Sequence, residues 1–268
     1  MRLIVRPPGD AFRSALADHH GPSVLDPERA RRQHAAFVAA LERCGVQVER
    51  LPAEPDLPDA TFVSDTLLSF PDAAAGDEGP ARLLVITRPG APSRRAEVAA
   101  VAARARALSP GARVVEIREP GTLDGGDVLC FADRIAIGLS ARTNREGAGQ
   151  LAEAVQGLGY RPFLCPVQGR LHLATAVTAL GPNRLVGTPA GFESLDAAGA
   201  ASAVERILLS PEEQPAANVL ALRNHCLMVS GYPRAAEALQ GAGHAVIELE
   251  LDEFVRADGG PTCLVAQV

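Results

Sequence analysis

Residues 26–51, DPERARRQHAAFVAALERCGVQVERL, carry the clearest structural pattern of this chain. The segment opens with an aspartate that can cap a helix and a proline that fits the first helical turn. Its apolar residues then recur at helical spacing as far as Gly45. Short runs rich in branched residues lie on either side, over residues 2–5 and 46–51. The pattern predicts a helix from about Asp26 to Cys44 between two strands.

The same arrangement of strand, helix and strand recurs four more times, at intervals of roughly 50 residues. Thr143 and Glu146 are expected to form a capping box at one of the additional helix starts. Residues 66–70 form an extra strand that is expected to pair antiparallel with a neighbour, and residues 71–80 are expected to form a hairpin loop. The four additional helices are predicted over residues 93–108, 143–157, 192–199 and 233–239.

Five repeated units indicate one α/β domain over residues 1–268. Such units can surround a common centre without a domain boundary. A doubly wound parallel sheet is disfavoured, because it requires a G-x-G-x-x-G turn that the chain lacks.

The composition restricts the class of partner. An apolar fraction of 47% and a net charge of −6 indicate a soluble globular protein. All 26 basic residues are arginine and form no cluster, which argues against nucleic acid. No apolar run approaches the roughly 18 residues of a membrane span, and the first residues are typical of a strand, not of a signal peptide. We expect a cytoplasmic protein that binds a small molecule; a homodimer is compatible with the sequence.

The five cysteines are scattered without C-x-x-C spacing, which disfavours a disulfide framework and a structural zinc site. We therefore expect reduced thiols, and neither a metal nor a cofactor. Cys263 follows Gly259-Gly260 and is expected on a strand, where the glycines let backbone and ligand approach closely. A cysteine in such a place is more often a small core residue.

A histidine, two aspartates and two arginines are further candidates for a site. His172 lies between two leucines in a strand-like stretch, which directs its imidazole away from them. Asp65 and Asp124 stand beside apolar residues, although an aspartate next to glycine commonly marks a turn. Arg88 and Arg142 would ordinarily be surface residues. None of these residues identifies a function by itself.

Taken in order, six motifs closely resemble those of the dimethylarginine dimethylaminohydrolases, or dimethylargininases, in the guanidino-group-modifying (pentein) superfamily. The resemblance extends from the first strand to the C-terminus and implies a five-bladed α/β propeller of ββαβ modules. The motifs are FVxD at 62–65, ITRPGAPSRR at 86–95, TLDGGDVL at 122–129, GLSxRTN at 138–144, LHL at 171–173 and DGxxTC at 258–263.

The resemblance also implies roles for individual residues. Cys263 would be the nucleophile, His172 the general acid and base, and Asp124 a further catalytic residue. Asp65 and Asp124 would bind the substrate guanidinium. The remaining substrate contacts would be Asp59 to the α-amino group, Arg88 and Arg142 to the carboxylate, Phe62 as a wall, Ala257, and Leu16 in a flap that continues over residues 17–21.

The activity implied is hydrolysis of a C–N bond of methylated L-arginine through a covalent thiouronium intermediate, giving citrulline and methylamine or dimethylamine. A thiolate and an imidazole suit this chemistry, because the guanidinium carbon is a poor electrophile and the leaving amine needs a proton.

Ser64 departs from the family pattern, which usually has a glutamate at this position, and could alter activity or substrate preference. An arginine deiminase, or a hydrolase of another free guanidino amino acid, therefore remains the nearest alternative. A non-catalytic propeller that binds a protein partner is the alternative from another class.

Overall fold

The computed structural model describes residues 1–17, 24–71 and 83–268. Within these ranges the chain forms five three-stranded sheets, each built from a ββαβ module. In every sheet the central strand runs antiparallel to the first strand and parallel to the third. The parallel pair is joined through a helix, because parallel strands need a long crossover connection. The predicted α/β class and the five modules are confirmed.

The first module joins the two ends of the chain. Its third strand follows the helix as predicted, and its first strand comes from the C-terminus, where Ala266 pairs with Ile4. The module consists of β1 (Arg2–Val5), α1 (Pro27–Arg43), β2 (Gln47–Arg50) and β15 (Ala266–Gln267).

The other four modules follow one another along the chain. The second and third consist of β3 (Leu67–Phe70), β4 (Leu83–Ile86), α2 (Val98–Leu108) and β5 (Arg113–Glu116), then β6 (Val128–Phe131), β7 (Arg134–Leu139), α3 (Arg145–Gln156) and β8 (Arg161–Pro166). The fourth and fifth consist of β9 (Val177–Gly181), β10 (Arg184–Gly187), α4 (Pro189–Ala197) and β11 (Glu205–Leu208), then β12 (Leu220–Leu222), β13 (His225–Val229), α5 (Pro233–Gly241) and β14 (Ala245–Leu249). A short helix, α6 (Asp252–Arg256), precedes β15.

The central strands form the core. All four residues of β4 are buried, whereas three of the four residues of β5 are exposed. A strand covered on both faces is expected to be apolar throughout, as Leu83–Ile86 is. Buried clusters combine neighbouring modules, since Leu83 of the second packs in the same cluster as Ile135 and Leu151 of the third. No helix among the described residues has both the length and the apolar character needed to cross a bilayer.

Three predicted helix starts differ from the structure. The helix predicted from residue 192 begins at Pro189. The capping box at Thr143 is wrong, because Asn144 caps α3 by accepting a hydrogen bond from the Gly147 N–H at 2.8 Å. Thr143 instead accepts a hydrogen bond from the Asp124 N–H at 3.1 Å. The helix predicted from residue 93 begins as a 3-10 turn over Pro92–Glu97, and α-helix follows only from Val98.

A short 3-10 turn precedes the first strand of every module, with at most two residues between them. Neighbouring turns contact one another, so the segments that enter the five sheets meet at one place. We call them the five turns: Val63–Thr66, Gly125–Asp127, Leu173–Thr175, Pro211–Ala217 and Pro261–Leu264. The predicted loop over residues 71–80 lies outside the described residues except for Pro71.

Candidate active site

The five turns bring together four residues that are far apart in sequence. Asp65 lies on the turn before β3, Asp124 just before the turn that leads to β6, and His172 just before the turn that leads to β9. Cys263 lies on the turn before β15. Its predicted strand is wrong, because Pro261 fits the first position of a helical turn and the Cys263 N–H bonds to the Gly260 carbonyl at 3.0 Å. The predicted strand around His172 is also wrong, although that residue is itself extended.

His172 is held by a buried carboxylate. Its Nε2 lies 3.0 Å from Oδ2 of Asp124, whose Oδ1 accepts a hydrogen bond from the Gly90 N–H at 2.8 Å. Burial alone would lower the pKa of His172, but the charges of Asp65, Asp127 and Asp124 outweigh burial and raise it to about 9. The imidazole is therefore protonated at neutral pH and can donate a proton.

Asp65 is ionised although it is buried. Its Oδ1 accepts a hydrogen bond from the Gly126 N–H at 2.8 Å, and its Oδ2 accepts one from Nη1 of Arg94 at 2.6 Å. Burial alone would raise the pKa of Asp65, but the charges of His172 and Arg94 hold it below its usual value. Asp65 is a negative group facing the site.

Cys263 is a thiol in the ligand-free protein. Its side chain is buried, with only 8% of the residue exposed. Burial and then the charge of Asp65 raise the pKa of Cys263 to about 11, against hydrogen bonds from Gly260 and Thr262 and the charge of Arg94. A cationic ligand beside the sulfur would favour the thiolate.

A small cavity of about 20 Å³ lies between these groups. It has room for little more than one water. Leu16 lines it, and the Leu16 N–H donates to Oδ1 of Asp59 at 3.0 Å. The predicted flap beyond Leu16 lies outside the described residues apart from Ala17. Eight of the ten predicted site residues line the cavity: Leu16, Asp59, Phe62, Asp65, Arg142, His172, Ala257 and Cys263.

Two predicted residues do not line this cavity. Asp124 is fully buried behind His172 and its carboxylate is engaged there, so the geometry fits a catalytic role and does not fit direct contact with a guanidinium. Arg88 pairs with Glu119 at 3.1 Å and donates to the Gly121 carbonyl at 3.2 Å. Its predicted contact with a carboxylate would require the side chain to leave Glu119.

Arg94 and Asp127 were not predicted as site residues. Arg94 contacts Asp65, also pairs with Glu97 at 2.9 Å, and donates to the Phe62 carbonyl at 3.0 Å. Asp127 accepts hydrogen bonds from the Leu173 N–H at 3.1 Å and from Oγ of Ser140 at 2.6 Å. Both residues stand inside the quoted motifs. The apolar Val128 beside Asp127 is a signal of burial, whereas Arg94 lies between Ser93 and Arg95, which give none.

A metal could be held by Asp65, Asp124 and His172, whose ligand atoms lie within 4.8 Å of one another. In the structure Asp65 is paired with Arg94, and Nε2 of His172 is bonded to Asp124. A metal would have to displace these partners and a proton from the imidazole.

A larger cavity of about 260 Å³ adjoins the small one. The two share Leu171, Asp258 and Gly259 as a wall. Asn218 lines the larger cavity.

Comparison with known proteins shows the family of this chain. The sequence model of the family described as "N,N dimethylarginine dimethylhydrolase, eukaryotic" matches residues 10–268. This chain belongs to the dimethylarginine dimethylaminohydrolase family. It is 36% identical over 263 residues to the N(G),N(G)-dimethylarginine dimethylaminohydrolase of Streptomyces coelicolor, which covers 98% of this chain and 95% of that protein. The enzyme of the same name from Pseudomonas aeruginosa is 32% identical, covering 98% and 97%.

Solved structures of the dimethylarginine dimethylaminohydrolase family are similar over the whole chain. A cysteine-to-serine variant of the Pseudomonas aeruginosa protein with citrulline superimposes with a TM-score of 0.90 at 31% identity, covering 100% of this chain and 98% of that one. A histidine-to-glycine variant of a dimethylarginine dimethylaminohydrolase, in an adduct with S-methyl-L-thiocitrulline, gives 0.89 at 31% identity, covering 100% and 99%. The N-terminal domain of the arginine dihydrolase ArgZ gives 0.81 at 19% identity, covering 98% and 96%, and shares the fold.

Gly126 leaves the space that His172 occupies. A Cβ at this position would lie 2.6 Å from Nδ1 of His172. We expect Gly126→Ala to displace the imidazole from Asp124, to lower the pKa of His172 from about 9 toward its ordinary value, and to destabilise the fold by about 1–3 kcal/mol. Ring titration by NMR and urea unfolding measure the two effects.

The matched control is Gly149→Ala, because Gly149 is exposed within α3 and a Cβ there meets nothing within 4 Å. This variant should gain about 0.5–1 kcal/mol of stability and leave the His172 titration unchanged. An unchanged His172 pKa in Gly126→Ala would contradict the packing argument.

Proposed function

We propose that this chain hydrolyses Nω-methylated or Nω,Nω-dimethylated L-arginine to L-citrulline and methylamine or dimethylamine. The observation that carries the proposal is the single cavity that Cys263, His172 and Asp65 line together with Asp59 and Arg142. The cavity therefore offers a nucleophile and an acid. It also offers charged groups that can bind a guanidinium cation, an α-amino group and an α-carboxylate. Family membership and the citrulline complex of a relative support the same chemistry.

Recognition of the substrate follows from the charges that line the cavity. Asp65 faces the sulfur and offers a carboxylate to the guanidinium, which it can hold beside Cys263 through charge-assisted hydrogen bonds. Asp59 would take the α-amino group and Arg142 the α-carboxylate, with Arg88 joining them if it leaves Glu119. These contacts favour a free amino acid over an arginine residue within a protein.

The chemistry proceeds in two steps. In the first, the guanidinium charge favours loss of the Cys263 proton to solvent, and the sulfur of the resulting thiolate bonds to the guanidinium carbon. The C–N bond then breaks as His172 gives its proton to the departing amine. In the second, the neutral imidazole takes a proton from water, the hydroxide adds to the thiouronium carbon, and the C–S bond breaks. The added oxygen releases its remaining proton to solvent, citrulline leaves, and Cys263 is again a thiolate. Asp124 holds the imidazole in place through both steps.

The active form of the free protein is the one in which Cys263 and His172 together have lost one proton. The rate should therefore depend on pH. With pKa values of about 11 and about 9, both groups are protonated below pH 9. We therefore expect kcat/KM to rise about tenfold per pH unit up to about pH 9, and to fall only above about pH 11. Initial rates of citrulline release from pH 6 to 11 check this. A maximum at or below pH 7 would contradict the assigned pair.

The substrate is tested by incubating the purified protein with asymmetric dimethylarginine, monomethylarginine and arginine, and measuring citrulline. Citrulline chiefly from the methylated substrates supports the proposal. Citrulline chiefly from arginine replaces it with deimination, and citrulline from none of the three rejects it. Ser64→Glu in parallel shows whether this departure from the family pattern sets the preference.

The same proposal includes one catalytic domain over residues 1–268, located in the cytoplasm, with no metal taking part. Within the described residues no disulfide joins any of the five cysteines, which suits a reducing compartment. The clusters that combine neighbouring modules support a single folding unit.

A further inference from the structure

Four of the five turns carry or adjoin a residue with a proposed role, and the fifth is followed by Asn218. Asp65 and Cys263 lie on two of these turns, and Asp124 and His172 directly precede two others. Asn218 comes directly after Pro211–Ala217 and before β12, and is only 4% exposed. It therefore adjoins the one turn that has none of these four residues on it or directly before it.

Asn218 connects the last turn to its neighbours through every polar atom of its side chain. Its Oδ1 accepts hydrogen bonds from the Thr262 N–H at 2.9 Å and from Oγ1 of Thr262 at 3.0 Å. Its Nδ2 donates to the Ala174 carbonyl at 3.2 Å and lies 3.8 Å from Sγ of Cys263. The amide thus spans the turn that carries the sulfur and the turn beside His172.

The orientation of this amide is determined by its backbone partners. The Thr262 N–H can only donate, and the Ala174 carbonyl can only accept. Turning the amide over would place two donors against each other and two acceptors against each other. The NH₂ group is therefore the end that faces Cys263.

A donor that carries no charge suits this position. The charge of Asp65 raises the pKa of Cys263 and so disfavours the thiolate. A lysine or arginine in place of Asn218 would stabilise the thiolate but would repel a cationic guanidinium. An amide N–H stabilises the negative sulfur without that repulsion. The charged and titratable side chains that line the cavity with Cys263 are Asp59, Asp65, Arg94, Arg142, His172 and Asp258.

We propose that Asn218 is the positioning residue of Cys263, holding its turn through Thr262 and stabilising its thiolate through the side-chain NH₂ group. This rests on the proposed role of Cys263 as the nucleophile. Because Asn218 also lines the larger cavity, a smaller residue would open a second path to the sulfur, so the test variants keep its size.

The test is the pH midpoint for alkylation of Cys263 by iodoacetamide without substrate, followed on its own peptide by mass spectrometry. Asn218→Asp keeps the acceptor for Thr262 and replaces the donor with an oxygen. We expect the midpoint to rise by about one pH unit, which is a tenfold lower thiolate fraction at neutral pH. If the variant only changed how easily iodoacetamide reaches the sulfur, the alkylation rate would change by the same factor at every pH and the midpoint would stay the same.

Asn144→Asp is the matched control. Asn144 accepts from the Thr122 and Gly147 N–H groups at 2.9 and 2.8 Å and donates to the Pro120 carbonyl at 2.9 Å, the same pattern away from the sulfur. Its variant should leave the midpoint unchanged. If Asn218→Asp does not fold, Asn218→Leu removes the donor without adding charge and should also raise the midpoint. A folded Asn218 variant whose midpoint equals that of the unaltered protein overturns the proposal. The alkylation needs no turnover, so its outcome is independent of the citrulline assay.

Discussion

Replacing Cys263 with serine is expected to lower citrulline formation from asymmetric dimethylarginine by at least about a thousandfold. A serine hydroxyl keeps its proton far more tightly than a thiol does, and the resonance-stabilised guanidinium carbon needs a strong nucleophile. The two side chains are nearly the same size, so the buried turn over Pro261–Leu264 should keep its structure. Steady-state citrulline assays give the size of the loss, and thermal unfolding confirms the fold.

Cys44→Ser is the control for this experiment. Cys44 ends α1, is only partly buried and does not line the small cavity. Its variant should retain full activity. Comparable losses in both variants, or citrulline from Cys263→Ser within about tenfold of the unaltered rate, would remove Cys263 from the mechanism.

Replacing His172 with glycine is expected to trap the covalent intermediate. With S-methyl-L-thiocitrulline, the sulfur of Cys263 can bond to the thiocitrulline carbon and expel methanethiol, a leaving group that depends little on an acid. The second step needs a base to activate water, so one adduct per chain should accumulate in intact-mass spectra. With dimethylarginine, whose amine must be protonated, turnover should fall by about 10²–10⁴-fold.

The double variant His172→Gly with Cys263→Ser serves as the control and should gain no mass. An adduct on another cysteine would show that this cysteine, and not Cys263, is the nucleophile. Undiminished turnover of dimethylarginine by His172→Gly would show that a different group transfers the proton.

Local sequence is sufficient to predict α1, because Asp26 does cap the helix, accepting from the Glu28 and Arg29 N–H groups at 2.9 and 3.1 Å. The repeat of strand, helix and strand likewise predicts the five modules. The pairing of β15 with β1 joins residues about 260 positions apart and leaves no local signal. The choice of Asn144 over Thr143 as a cap depends on Asp124, which reaches Thr143 only in the folded chain.

Motifs predict the reacting residues of the site and leave their orientation open. They do not distinguish a carboxylate that meets the substrate from one behind His172, as Asp124 is. Arg88 belongs to a motif, yet Glu119 holds its guanidinium away from the cavity. Asn218 was not predicted because a neutral amide after a proline-containing turn has no distinctive pattern. Its place is recognised only when the five turns are compared.

The C-terminal position of the last turn also affects when the protein can become active during synthesis. Cys263 lies three residues before β15, and β15 completes the sheet that contains the first strand of the chain. A nascent chain therefore holds β1 without its antiparallel neighbour, and the carboxylates of the second and third modules without their proposed nucleophile, until residues 261–267 have been made. Contacts this distant in sequence form slowly. Catalytic competence should thus follow translation of residues 261–267, and a ribosome-bound fragment that stops before them should be inert.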